Sequence, residues 1–333
     1  MRGLSFILIL FIVSCNSSES PKKGSELLLS PEEVFSLIEG GNTIRLIELS
    51  NQESYSKGHL PNAILLQRND YRDTSHSVKG MMASKSEMEN LLQRLAINEG
   101  DTLIMYGEHA NVDACRFFWV LERYGHPSIY IMDGGKKAWE ESYELTTQIP
   151  SIPEKSAYKF PDYEITFEDR ASINDVHEAM LDEKIQIVDT RSMEEYMGQP
   201  FINKGEIVHW KKGAKINGTI PGAIHFHWTK IQQYEMPFGF KSKKDIIHEF
   251  NSAGIDPNGE IIVFCQSGAR SSHTLFALKH ILGNQKVKNY DGSWIEWSTQ
   301  YAEKQDYISQ LSSDKENAEL FDKLKQEIVN NDG

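Results

Sequence analysis

Ile261-Ile262-Val263-Phe264-Cys265-Gln266-Ser267-Gly268-Ala269-Arg270 runs an apolar stretch into a cysteine and a turn, and an apolar-periodic segment follows from Ser271 to Leu282. Four consecutive apolar residues predict a buried strand, and the periodicity beyond them predicts a helix. A turn between the two leaves the cysteine sulfur ringed by unpaired backbone N–H groups at a helix N-terminus, where negative charge is favoured. Gly268 permits backbone angles that other residues resist, and Arg270 returns a fixed positive charge toward the sulfur. The result is a candidate thiolate poised for an anionic substrate. The competing reading is a free cysteine that closes a strand as a small hydrophobe.

Outward from this loop, the chain repeats itself. Leu103-Ile104-Met105-Tyr106-Gly107 aligns with Ile261 to Cys265, Asp133-Gly134 with Asp291-Gly292, and Trp139 with Trp297, each pair 158 residues apart. Upstream, Ile44 to Glu48 matches Ile185 to Asp189 at an interval of 141, and Gly58 to Ala63 matches Gly218 to Ala223 at 160, so the second copy carries 19 extra residues around Gly198 to Gly213. A constant interval over some thirty residues marks a duplicated unit.

Each copy alternates helix and strand. Ser30-Pro31-Glu32-Glu33 is a capping box with proline at the first helical position, predicting a helix to Glu39. Ile44 to Leu49 and Thr102 to Tyr106 read as strands, and Ser84-Lys85-Ser86-Glu87 caps a helix through Leu95. Helices near Ile173 to Leu181 and Lys243 to Asn251 repeat the pattern. Short apolar strands separated by helices imply an α/β fold of two parallel sheets, each covered by helices on both faces, with ligands bound at the carboxyl ends of the strands.

These motifs together, Val188-Asp189-Thr190-Arg191, Gly218-Thr219-Ile220-Pro221-Gly222-Ala223, the cysteine loop and Tyr290-Asp291-Gly292-Ser293-Trp294, resemble the rhodanese superfamily, specifically its tandem two-domain sulfurtransferases acting on thiosulfate or 3-mercaptopyruvate. The resemblance covers nearly all of residues 26 to 303. It implies a silent first domain (26–148), where Gly107 takes the cysteine's place, and a catalytic second domain (164–303), joined by a proline-bearing linker over 149–163. It further implies that Cys265 takes the sulfane sulfur of a small anionic donor as a persulfide and passes it to a thiol or cyanide. Gln266, Gly268, Ala269 and Arg270 would bind the donor through the loop, and Arg191 matches the position that binds its anionic end. Arg191 could instead pair with Glu194 or Glu195 on the surface.

Two donors stay open, with 3-mercaptopyruvate slightly ahead of thiosulfate. Ser267 matches mercaptopyruvate-type enzymes, in which an Asp and a His are relayed to the loop serine; Glu48 and His59 fall at those places, with a methylene more on the acid. Arg270 points the other way, because it adds a cation where tandem enzymes usually show Val-Thr. A second arginine after Arg191 is missing, and Lys204 is the substitute on offer. Asp291 and Trp294 are expected to position the loop, and His225, His227 and Cys115 to pack. A cysteine phosphatase is the enzymatic rival, but its loop sets five residues between cysteine and arginine, and here there are four. A non-catalytic lipoprotein that senses anions or redox state is the other alternative.

The ends carry addressing information. Met1-Arg2, an apolar run from Leu4 to Val13, and Ile12-Val13-Ser14-Cys15 look like a bacterial lipoprotein signal (1–15), with Cys15 lipidated, 16–25 a polar tether, and the protein exported and anchored to a membrane surface of the cell envelope. Two remaining cysteines and no C-x-x-C pair argue against a disulfide scaffold or a zinc site, and nothing calls for a metal or cofactor. The formal charge of −13 excludes a nucleic-acid footprint, so an anionic substrate needs a local cradle. Residues 304–333, with a cap at Ser313, read as a helical extension.

Overall fold

A computed structural model describes residues 26–302 apart from 42, 109, 153, 163–167, 204–205, 209–210 and 237. The signal, Cys15, the tether, Lys204 and the C-terminal extension lie outside these residues. No helix among the described residues is long and apolar enough to cross a membrane.

Among the described residues ten strands build two five-stranded parallel sheets. The first holds β1 (Leu28–Leu29), β2 (Ile44–Leu49), β3 (Ile64–Leu66), β4 (Thr102–Tyr106) and β5 (Ile129–Met132) in the order β1-β5-β4-β2-β3. In the second half come β6 (Arg170–Ala171), β7 (Ile185–Asp189), an antiparallel pair β8 (Phe201–Asn203) and β9 (Glu206–Val208) in the insertion, and β10 (Ile224–His225). A second small pair, β11 (Gln232–Gln233) and β12 (Gly239–Phe240), precedes β13 (Glu260–Phe264) and β14 (Val287–Tyr290). Its sheet runs β6-β14-β13-β7-β10, which is the first order repeated.

Helices α1 (Pro31–Glu39), α2 (Gln52–Lys57), α3 (Lys85–Arg94), α4 (Val112–Tyr124) and α5 (Gly135–Trp139) connect the first sheet. The second is connected by α6 (Ile173–Leu181), α7 (Met193–Tyr196), α8 (Lys243–Ser252), α9 (Ala269–Phe276) and α10 (Ser293–Gln300). The capping boxes at Ser30 and Ser84 form as their sequences require, each serine accepting from the third helical N–H. Beyond Phe276 the helix widens into a π turn over Ala277–Ile281, inside the apolar-periodic run.

The halves dock through α4 and α9, with Phe118 edge-on to Phe276 at 5.1 Å between ring centres. One buried apolar cluster runs through both halves and includes Phe118, Leu121, Leu275 and Phe276. The docking is quasi-symmetric. Asp133 of the first half accepts from Phe240 N at 3.0 Å, and its counterpart Asp291 accepts from Met82 N at 3.3 Å. The segment between the halves is held down, since Tyr158 and Phe160 are buried beside Tyr124 and His126.

Candidate active site

Strand register carries Phe264 alongside Asp189, so Cys265 emerges at the carboxyl edge of the sheet. Gly268 then turns the chain with φ +83° and opens α9. Cys265 is 1% exposed. Ser271 Oγ donates to its sulfur at 3.6 Å. Burial pushes the Cys265 thiol up, but the Arg270 guanidinium, the Ser271 hydroxyl and the backbone N–H groups of Ser271 and Ser267 together outweigh it and bring the thiol below its ordinary value. From behind, Ser293 Oγ accepts the Cys265 backbone N–H at 3.3 Å and donates to Tyr290 O at 2.7 Å. Ser293 holds this place at φ +50°, a left-handed conformation that a side chain resists.

A cavity of about 480 Å³ opens above the sulfur, with Gln266, Ser267, Ala269 and Arg270 in its wall. Among the described residues three cations line it: Arg270, Lys211 from the insertion, and Arg68 from the first half. A carboxylate, Glu195, lies between two of them and pairs with Arg270 at 2.7 and 3.0 Å and with Lys211 at 2.8 Å. Burial pushes the Glu195 carboxyl up, yet hydrogen bonds and charge from Arg270 and Lys211 hold it well below the usual range. His227 and Trp228 complete the wall. Burial first, then the charges of Arg270 and His225, lower the His227 imidazole below its ordinary value.

Three residues assigned to the donor or its relay stand elsewhere. Arg191 does not line this cavity. Its guanidinium is buried, bonded to Asp189 at 2.6 to 3.1 Å and to Gly218 O at 2.6 Å, and lies 4.4 Å over the Trp294 ring. The neighbour that captures it is Asp189, two residues back, and not Glu194 or Glu195. Glu48 and His59 are not brought to Ser267. Glu48 is bound by Lys136 at 2.6 Å, Tyr106 at 2.7 Å and Ser50 at 2.7 Å. His59 stacks on Tyr55, and its nitrogens face the carbonyls of Tyr55 and Gln148.

Other expected roles also resolve. Trp294 is wedged under Arg191, while Asp291 serves the docking of the halves. Cys115 is buried, and burial, then Asp133 and Asp113, push its thiol well up. His225 packs on Tyr196 and bonds Arg191 O, whereas His227 reaches the cavity instead of packing alone. Among the described residues no group of three or more His, Cys, Asp or Glu stands together to hold a metal ion. Sequence reasoning missed Arg68, Glu195 and Lys211 as cavity residues. Arg68 had one signal: it stands 160 residues before Trp228, the interval of the Gly58 and Gly218 motifs, and both line the cavity.

Comparison with known proteins identifies the family of both halves. The Rhodanese-like domain model matches twice, over residues 30–142 and 172–300. The sulfur carrier protein TtuD of Thermus thermophilus is 35% identical over 286 residues, covering 82% of this chain and 93% of that protein. A Haloferax volcanii protein named "Putative thiosulfate sulfurtransferase" is 33% identical over 262 residues, covering 76% and 85%. Among solved structures, the anaerobic ergothioneine biosynthesis enzyme of Chlorobium limicola superposes with a TM-score of 0.68 at 21% identity, over 82% of this chain and 68% of that one, a likeness of fold.

Proposed function

Because the chain belongs to the rhodanese-like domain family, with both of its halves matched, we propose that it is a sulfurtransferase whose Cys265 carries the sulfur. One observation carries the reading: a thiol held below its ordinary value at the floor of a cavity walled by Arg270, Lys211 and Arg68. The Cys265 thiolate attacks the outer sulfur of an anionic donor and breaks the donor's sulfur bond, whose electron pair leaves with the donor remnant. A thiolate or cyanide then attacks the outer sulfur of the persulfide and restores Cys265.

Thiosulfate is the donor this cavity favours. Sulfite leaves as an anion and needs positive charge around it, which Arg270, Lys211 and Arg68 supply in excess of the two carboxylates they pair with, Glu195 and Asp113. A mercaptopyruvate remnant leaves as an enolate that needs a proton. The Ser267, His59 and Glu48 relay proposed for that step lacks support in the geometry, although Ser267 keeps its place in the wall. The names of the Thermus and Haloferax relatives favour sulfur carriage and thiosulfate. Steady-state kinetics with both donors test the choice, together with intact mass after donor treatment. The expected result is a higher kcat/KM for thiosulfate, one sulfur atom added at Cys265, and neither in Cys265→Ser. A higher kcat/KM for mercaptopyruvate that falls in Ser267→Ala restores the relay, and turnover of phosphate esters alone makes the protein a phosphatase.

The same proposal places the enzyme on a membrane surface of the bacterial envelope through lipidated Cys15, on the strength of the apolar run and Ile12-Val13-Ser14-Cys15. Cys15→Ala should move the protein from the membrane fraction to the soluble one with donor turnover unchanged. Retention of that variant in the membrane fraction rejects the anchor.

A further inference from the structure

A first-half arginine sits against the catalytic loop. Arg116 lies on α4, is wholly buried, and pairs with Asp291 of the second half. Its Nη2 also donates to Gly80 O at 3.1 Å, while Nε and Nη1 have no hydrogen-bond partner among the described residues. A Cβ added to Gly268 would lie 2.6 Å from Arg116 Nη1 and 3.0 Å from its Cζ. A guanidinium tip could ordinarily swing aside. This one is pinned by Asp291 and Gly80, with Trp119 4.7 Å from its Cζ.

The duplication separates two reasons why position 268 is glycine. Its counterpart in the first half, 158 residues earlier, is Ala110, which holds φ +57° against +83° for Gly268. A left-handed turn at this point therefore accepts alanine, and what excludes a side chain at 268 is Arg116. The contact runs one way. The counterpart of Arg116 is Thr274, whose hydroxyl bonds back into its own helix, to Arg270 O at 3.4 Å.

We propose that Arg116 is a positioning residue for sulfur transfer: seated against Gly268, it holds the Cys265 loop in the shape that aims the turn amides at the sulfur. The inference rests on the reading of Cys265 as the sulfur carrier, and it gives the silent half a function, since α4 reaches a loop it does not belong to.

The test is a double-mutant cycle on the full chain with Arg116→Ala, Gly268→Ala and both, read by the pH dependence of Cys265 alkylation with iodoacetamide, located by mass. That readout needs no donor, so it separates failure of this proposal from failure of the sulfurtransferase reading, which would appear as no donor turnover in a wild type whose Cys265 still alkylates. The titratable and charged groups lining the cavity over the sulfur, Arg68, Glu195, Lys211, His227 and Arg270, are the same in every variant, and Arg116→Lys holds the charge at position 116 itself. Expected are a rise of about one pH unit in the alkylation midpoint for each single variant, a tenfold loss of thiolate below the midpoint, and little further rise in the double. Arg116→Lys, which keeps a charge for Asp291, covers the case in which Arg116→Ala does not fold, and should give an intermediate shift. An unchanged midpoint in folded Arg116→Ala or Arg116→Lys, or a Gly268→Ala penalty equal with and without Arg116, reduces Arg116 to a staple between the halves.

Discussion

The two halves share one topology and differ at a handful of equivalent positions, and under the proposed function those positions separate a working site from a silent one. Gly107 stands for Cys265, Val112 for Arg270, and Gly135 for Ser293, each 158 residues apart. The framework around them is retained: Lys136 N donates to Gly107 O at 2.8 Å, as Trp294 N donates to Cys265 O at 3.0 Å. What changes is where the loop amide goes. In the first half Asn111 Oδ1 accepts the Gly107 N–H at 2.8 Å while its Nδ2 donates to Met132 O at 2.7 Å, so one side chain closes the loop. In the second half the residue at that place is Ala269, and Ser293 supports the cysteine from behind.

The buried charge moves as well. The acid at the end of the second strand is Glu48 in one half and Asp189 in the other. Asp189 is neutralised by Arg191, stacked on Trp294, and Glu48 by Lys136, which occupies the position equivalent to Trp294. Each half thus keeps this buried ion pair and supplies its cation from a different element. Removing either partner would strand a buried charge at a cost of roughly 3–5 kcal/mol. That shared framework lets the comparison be broken at the loop alone.

The largest effect is expected from giving the working loop its silent counterpart's residue, Arg270→Val. The thiol would lose the cation that most favours its anion, so its pKa rises and the acid limb of the pH–rate profile moves to higher pH. A donor anion loses one of three cations, and Glu195 keeps only Lys211. We expect kcat/KM for thiosulfate to fall by about 10²-fold. A fall of less than threefold, with the acid limb unmoved, would mean that loop amides alone activate the sulfur.

Much of this was legible in the chain itself, and what was not has a common cause. Caps and periodicity are local, so α1, α6, β2 and β4 follow from their own residues. Cys265, Gln266, Ser267, Ala269 and Arg270 share one continuous turn, so their meeting needs no knowledge of the rest. Arg68, after β3, and Arg116, on α4, reach the second half's loop only because the halves dock, and no local pattern announces a contact between halves. Arg191 went astray for a related reason: matching a motif position says where a backbone lies, but the charge two residues away decides where the side chain goes.

A smaller effect is expected from Ser293→Gly, which again imports the first half's residue. Glycine at φ +50° removes backbone strain of about 1 kcal/mol, while the Cys265 N–H loses its partner. The two nearly offset each other in stability, so the thermal midpoint should stay close to wild type. Turnover should nonetheless fall by about three- to tenfold, the worth of one net hydrogen bond of about 1 kcal/mol. Unchanged turnover would show that Ser293 serves the fold and leaves the nucleophile's aim alone.

The smallest effect should come from the substitution that looks most like a gain, Gly107→Cys. A Cβ fits there, since the nearest atoms to one at Gly107 lie at 3.6 and 3.7 Å. A thiol placed there would meet Val112 where Cys265 meets Arg270, Asn111 would already hold the loop amide, and Glu108 and Asp113 line the adjoining cavity of about 460 Å³. Burial and two nearby carboxylates already push Cys115 well above the ordinary thiol value. The new thiol would be driven the same way, because Arg68 in that wall is already paired with Asp113 at 2.6 Å. Intact mass after donor treatment should therefore show a single added sulfur, on Cys265, and turnover within twofold of wild type. A second persulfide on the introduced cysteine would mean that the silent half lacks only its nucleophile, and that the loop cation and the freed amide are dispensable. Adding Val112→Arg to Gly107→Cys sharpens the contrast, because it supplies the cation and leaves Asn111 as the difference between the loops.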